Sequence, residues 1–357
     1  MKKSKLSHRE RVLLALDHRS TDRIPIAMVC SGVNEPDVFD RYLRMTHGVG
    51  MEGYFTPILD IVQIRPTYIG PPLGPGEDFW SVVREEFSYG AGTYEEIDIY
   101  PLAAAESIDN LRTFRWPSTA WFDYDAIPGQ IREANTDGDE RCIMIKGGNI
   151  FETAWYMRGF ERAFIDLAAD PGLIGFVMEK VTDFYVAHTR KVLEAARGMV
   201  DLIFTADDIG HQQGLLLSLP MWREHIRPHH ERLNAVVHEF GARVIYHSDG
   251  AIMEAVPELI GMGVDVLQAL QFDAAGMDPH ILKNRYGDRL CFEGGVSVQR
   301  TLPFGAVEEV RREVLERIAV LGKGGGYILG PSHQIQAGTP PENIAALFDT
   351  ALSAALP

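Results

Sequence analysis

Side chains able to do chemistry recur in this sequence at the ends of short apolar runs. They are Lys146 and Asn149 in RCIMIKGGN, Asp207 and Asp208 in TADDIG, His247 and Asp249 in YHSDG, Gln268 and Gln271 in VDVLQALQ, Glu293 in CFEGGV, and His333 after GGYILGPS. Most are costly to bury without a partner. Side chains alternate along a strand, so His247 and Asp249, two apart, project to one side and can converge on one ion or substrate. With His333 they make two imidazoles and a carboxylate, a sound set for zinc or another divalent metal with a position left open for catalysis. The competing reading has His247 and Asp249 hydrogen-bonding each other or a substrate without metal.

Neighbouring strand residues point oppositely, so at most one of Asp207 and Asp208 faces the site, and Asp208 is the expected one. Alternatively one of the pair caps the following segment while the other binds a backbone amide. Glu293 precedes two glycines that let backbone and ligand approach closely, although a rim salt bridge would also place a glutamate there. Asp208 and Glu293 are therefore the candidate catalytic groups, and Asn149, Gln268 and Gln271 the candidate substrate contacts. Cys291 reads as a small core residue. His225 and His229 have a helical spacing that can bind metal, but without the glutamate of HExxH they read, with His230, as a solvated helix face.

These residues need elements to position them. RIPIAMV (23–29) reads as a first buried strand. Residues 50–140 are rich in Pro, Gly and aromatic residues, and alternation in SVVREEFSYGAGTYEEIDIYPL predicts a hairpin, so the stretch reads as a lid inserted between core elements. From about residue 140 strands and helices alternate: RCIMIKGG, helices over 152–168 and 172–198, VDLIFTADD, a helix through MWREHIRPHHERLNAVVHEFG, RVIYHSDG, a helix at AIMEAVPELIGMG, VDVLQALQ, a helix near DPHILKNRYG, RLCFEGGV, GAVEEVRREVLERIAVLG, GGYILGPS and a closing helix. Nearly continuous apolar strands in such an alternation describe a parallel sheet covered on both faces. Polar residues at the ends of many successive strands favour a (β/α)8 TIM barrel, one domain over 1–357, over a doubly wound sheet, which gathers them at one switch point. Neither GxGxxG after the first strand nor GxxxxGK[ST] is present, so dinucleotide and P-loop readings lack their motif.

Composition fits a folded globular chain: 46% hydrophobic and 24% charged residues. A net charge of -16 and a pI near 5.2 disfavour nucleic acid and anionic membrane as partners, leaving a small molecule or another protein. Cys30, Cys142 and Cys291 are far apart with no CxxC pair, which fits a reducing cytoplasm. The basic N-terminus lacks an apolar run of signal-peptide length, and no stretch is long and apolar enough to span a membrane.

RERVLLALDHRSTDRIPI, TADDIGHQQGLLLSLPMWREHIRPHHERL, YHSDGAIMEAVPELIGMGVDVLQALQ, YGDRLCFEGGVSVQRTLP and GGGYILGPSHQIQAGTPPENI resemble the uroporphyrinogen decarboxylase superfamily, over nearly the whole chain and least at 50–140. The resemblance implies a TIM barrel. The true decarboxylases carry an early segment of the type MRQAGRY that grips acidic porphyrinogen side chains, and RIPIAMVCSGVNEP stands in its place. The loss of those forked cations disfavours a polycarboxylate substrate.

The resemblance then points to the cobalamin-dependent methyltransferase branch, whose zinc is held by a histidine, a cysteine two residues later and a second cysteine near the last strand. His247, Asp249 and His333 stand at those positions. Replacing both thiolates disfavours thiol substrates and leaves a harder metal site or a metal-free one. The implied activity is methyl transfer between a small substrate and a corrinoid on a separate protein, since no DxHxxG-type corrinoid segment occurs in this chain. A metal would act as Lewis acid, with Asp208 or Glu293 managing protons. Two other functions fit the same residues: a decarboxylase or lyase on a smaller acid, without metal and with Asp208 orienting the substrate, or a noncatalytic barrel binding a small ligand or a corrinoid partner.

Overall fold

The computed structural model describes residues 6–29, 31–88, 93–135 and 138–356, so Cys30 lies outside the described residues. The elements that build the site are, in chain order, helix α1 (His8–Leu16), strand β1 (Ile61–Ile64), hairpin strands β2 (Val83–Ser88) and β3 (Thr93–Ile99), strand β4 (Cys142–Asn149), helices α2 (Phe151–Arg158) and α3 (Gly172–Ala196), strand β5 (Leu202–Ala206), helix α4 (Arg227–Glu239), and strands β6 (Arg243–His247), β7 (Val266–Gln268), β8 (Cys291–Val296) and β9 (Tyr327–Pro331). Strands β1, β4, β5, β6, β7, β8 and β9 lie side by side in that order, all parallel.

Residues 25–27 close the ring between its two edges. Ala27 N donates to Leu329 O at 2.9 Å, Leu329 N to Pro25 O at 2.8 Å, and Asp60 N to Ile26 O at 2.8 Å. Proline has no N–H, so Pro25 joins the ladder through its carbonyl alone, and the stave is short. With it the sheet is the (β/α)8 barrel expected from the alternation.

Alternating side chains divide the apolar residues into two layers. Ala27, Met144, Phe204, Ile245, Val266, Cys291 and Ile328 fill the barrel interior, while Ile145, Ile203, Val244, Tyr246, Leu267 and Phe292 pack outward. Each fully buried Ile, Leu or Phe contributes roughly 1.5–3 kcal/mol. Helix α1, started by a Ser7–Glu10 capping box, plugs the N-terminal end with Val12 and Leu16. The interior is thus solid below, and ligands are confined to the mouth formed by the C-terminal strand ends.

The barrel's closing seam carries an ionic knot. Asp60, fully buried, accepts from His8 Nδ1, Arg11 Nη1 and Arg23 Nη1, each at 2.7 Å, and from the Ile26 amide at 2.7 Å. One carboxylate thereby ties α1, the 25–27 stave and the start of β1 together. Burial pushes Asp60 up, but hydrogen bonds from His8 and Arg23 and the charges of Arg23 and Arg11 outweigh it and leave the carboxyl below its ordinary range.

Two expectations need correction. The stretch 50–140 is not wholly an insertion, because it contains barrel strand β1; the antiparallel hairpin β2–β3 within it is as expected, paired from Val83↔Ile99 to Ser88↔Thr93. The helix expected over 152–168 is broken at Gly159, whose φ of +94° ends α2 before a second helix, Phe160–Ala169.

Candidate active site and metal centre

His247 ends β6, in register with Gln268 on β7 and Ala206 on β5. Its Nδ1–H donates to Gln268 Oε1, and Gln268 Nε2 donates to Val29 O at 3.1 Å. A carbonyl can only accept, so Val29 fixes which end of the Gln268 amide faces His247, and that in turn fixes the imidazole tautomer. The lone pair is left on Nε2, 3.6 Å from Asp208 Oδ1.

Asp249 follows on the same side, as the two-residue spacing predicted. Its Oδ2 lies 3.9 Å from His333 Nε2, its Oδ1 is buried without a partner, and the His247 and His333 rings are 5.7 Å apart between centroids. One ligand atom from each of His247, Asp249 and His333 lies within 4.8 Å of the other two, and among the described residues this is the group so placed. Burial, with the charge of Asp208 added, raises the Asp249 carboxyl against the pull of His247 and His333. A buried carboxylate oxygen with no donor, facing two imidazoles, fits a divalent cation, which would need only small side-chain movements to bring the donors to bonding distance.

Asp207 and Asp208 point oppositely. Asp207, fully buried, accepts from the Phe151 and Glu152 amides at 2.8 Å each, so it caps α2, and from His230 Nε2. Asp208 turns to the mouth, where Oδ1 accepts from the Asp249 amide at 2.8 Å. The histidine cluster on α4 and before it is not a solvated face: His230 is fully buried on Asp207, and His229 bonds Thr182 Oγ1 at 2.9 Å. Its role is structural, because the carboxylate that anchors it lies beneath the helix rather than within it.

Glu293 projects into the barrel fully buried, and burial raises its carboxyl far above the ordinary range against the weaker pull of the Val29 backbone and the Gln268 side chain nearby. A protonated, neutral side chain is the form that such a position tolerates. Gly330 leaves room for it, since a Cβ there would come 2.8 Å from Glu293 Oε1. Gln268 and Gln271, expected to contact substrate, are tied into the site's frame: Gln271 Oε1 accepts from the Gly250 amide at 2.8 Å, steadying the loop that carries Asp249. Asn149 lines a cavity, its Oδ1 buried with no partner among the described residues and its Nδ2 donating to Glu152 Oε2 at 2.7 Å. Cys291 is a buried core residue, as expected.

Glu152 and Tyr156 were missed in the sequence, although they are four residues apart, the spacing of one helix face, directly after Asn149 at the end of β4. Tyr156 Oη donates to Glu152 Oε1 at 2.9 Å. Burial and the charges of Asp208 and Asp207 push the Glu152 carboxyl up to about 8, despite these two hydrogen bonds. Tyr156 and Asn149 also line a cavity of about 500 Å3 over the ends of β1 and β4. Gly148, at φ +143°, lets Tyr185 of the cavity wall pack against β4: a Cβ there would meet the ring at 2.4 Å.

Comparison with known proteins places this arrangement in context. A family model described as Uroporphyrinogen decarboxylase (URO-D) matches residues 129–353. The uroporphyrinogen decarboxylase of Alkalilimnicola ehrlichii is 22% identical over 360 residues, 95% of this chain and 92% of that protein. That of Psychromonas ingrahamii is 29% identical over 101 residues, only 27% of this chain and 28% of that one. A solved structure described as a methyltransferase from Methanosarcina mazei superposes with a TM-score of 0.71 at 17% identity, covering 97% of this chain and 98% of its own; at that identity it supports the fold.

Proposed function

The chain belongs to the uroporphyrinogen decarboxylase (URO-D) family, and from that premise we propose that it is a methyltransferase of the family, moving a methyl group between a small substrate and a corrinoid on a separate protein. The observation that carries the reading is the meeting of His247, Asp249 and His333 at the barrel mouth, with the His247 tautomer set so that Nε2 keeps its lone pair. These three residues would hold a divalent ion such as zinc, which when bound supplies Lewis acidity to the heteroatom carrying or receiving the methyl group. Cobalt chemistry would be supplied by the partner's corrinoid.

The chain's own residues bind, orient and handle protons. Gln268 and Gln271 hold the His247–Asp249 loop in one geometry, which is the task of groups standing behind metal ligands. Asp208, beside His247 and open to the mouth, is placed to take or give a proton at the substrate heteroatom. Glu293 keeps the floor of the site neutral and dry. Porphyrinogen decarboxylation fits less well, because Arg23, in the early segment, is spent on Asp60 at the opposite end of the barrel. A second reading, a decarboxylase of a smaller acid without metal, is favoured by the names of the curated relatives.

Metal analysis by inductively coupled plasma mass spectrometry separates the two. Near-stoichiometric divalent metal in the wild type, absent from both His247→Ala and His333→Ala, is the expected result. A wild type that stays metal-free after resupply sinks the Lewis-acid reading and advances the decarboxylase.

A further inference from the structure

The cavity beside the triad carries positive charge that no other described residue neutralises. Arg65, just past β1, and Lys146 on β4 both line it with exposed side chains, and neither has a hydrogen-bond or ion-pair partner among the described residues. The sequence holds 50 Asp and Glu against 34 Lys and Arg, so cations left without a carboxylate are conspicuous. Lys146 belongs to the inward side of β4, following Cys142 and Met144, which lie in the interior cluster. A third cation, Arg84 of the β2–β3 hairpin, is neutralised by Asp78 at 2.7 Å and rests over the Tyr156 ring at 5.2 Å, so it closes the cavity without adding net charge.

The remaining wall is aromatic. Phe79 meets Phe122 edge-on at 5.2 Å and Phe184 at 5.6 Å. Two unneutralised cations and a ring-lined wall in one cavity suit a flat apolar body with one anionic substituent. Asn149, Ala206 and His247 lie side by side on three neighbouring strands, so roughly 10 Å, two strand spacings, separates the cavity edge from the triad. A para-substituted aryl acid with its contacts bridges such a span.

We infer that this cavity binds the carboxylate of a small aromatic acid, with Arg65 and Lys146 as its anion contacts, so that a methyl ether on the far side of the ring reaches His247, Asp249 and His333. The second half of this assignment rests on the methyl-transfer reading; the anion site rests on the cavity.

Titration calorimetry with 4-methoxybenzoate, benzoate, methoxybenzene and inorganic phosphate tests it, using the wild type, Arg65→Gln and Lys146→Gln. Both side chains are exposed and unpartnered, so both variants should melt like the wild type. The expected result is that the two carboxylates bind, methoxybenzene binds at least about tenfold more weakly, and each substitution weakens the carboxylates by about tenfold, the loss of one charge-assisted contact. Equal affinity for 4-methoxybenzoate and methoxybenzene, unchanged affinity in the variants, no carboxylate binding, or phosphate competing as well as benzoate would each overturn the inference. Methyl transfer from 4-methoxybenzoate to reduced cobalamin is assayed separately. Charge-dependent binding without transfer would sink the methyl-transfer reading and leave the anion site standing.

Discussion

The side chain of Gln268 bridges His247 Nδ1 and the carbonyl of Val29, joining β7 to the imidazole on β6 and to the stave that closes the barrel. Because the amide has a donor end and an acceptor end, it transmits a choice: Val29 takes the donor, so His247 must offer its N–H and keep its lone pair on Nε2. Replacing it with leucine removes that choice while keeping an apolar body. Gln268→Leu should bind divalent metal about 10- to 100-fold more weakly, the usual effect of losing a group behind a metal ligand. Competition against a chromophoric chelator measures this, and an unchanged affinity would count against any metal role for His247.

The Asp60 knot makes a prediction about stability alone. Asp60→Asn leaves Arg23 without its counter-charge and buried Arg11 with Asp22 as its remaining carboxylate, and should cost about 3–5 kcal/mol in urea unfolding. The sign with pH follows from the depressed carboxyl. Its contribution is present above the ordinary aspartate range near 3.8 and is lost as pH falls through the lower folded value. The wild type should therefore lose its advantage over the variant only in acid, and a difference that grew as pH fell would contradict the assignment.

How much of this could be read in the sequence depended on the range of the interaction. The apolar runs fixed the barrel, and the period of two placed His247 and Asp249 on one side because that alternation is local. His333 could be joined to them only because a closed barrel brings strands distant in sequence around one mouth. Strand β1 was lost because it has four residues, one of them the exposed Gln63, with Arg65 and Pro66 directly after it, and Arg65 was lost with it. The chemistry of Gln268 and Gln271 is visible in the sequence, while the partners that hold them, Val29 and Gly250, are not. His230 was placed in solvent for the same reason: nothing in its helix reveals Asp207 beneath it.

Asp207 and Asp208 are adjacent yet should behave as different kinds of residue. Asp207→Ala removes the cap of α2 and the partner of buried His230, a loss of about 2–4 kcal/mol with metal content unchanged once folded. Asp208→Ala removes one bond to the Asp249 amide and should cost about 1 kcal/mol or less, while reducing turnover by about 100-fold or more if it handles the proton. Paired urea unfolding and activity assays check this, and equal stability losses in the two variants would refute the division of roles.

Glu152 supplies a pH test that is independent of any ligand. Burial, with Asp208 and Asp207 nearby, raises its carboxyl to about 8 in the folded protein, against an ordinary value of 4.5. Between those two values the folded state holds a proton that the unfolded state has released. Stability therefore falls as pH rises across that window, and the contribution is fully lost above about 8. Glu152→Gln mimics the protonated side chain, keeps an acceptor for Tyr156 Oη, and has no proton to lose. Its melting temperature relative to the wild type should thus rise steadily from pH 5 to pH 8.5, whatever the histidines do in both proteins. A wild-type-minus-variant difference that stays flat over this range would show Glu152 to be ionised in the folded state, and Asn149 and Tyr156 would then be donating to a carboxylate.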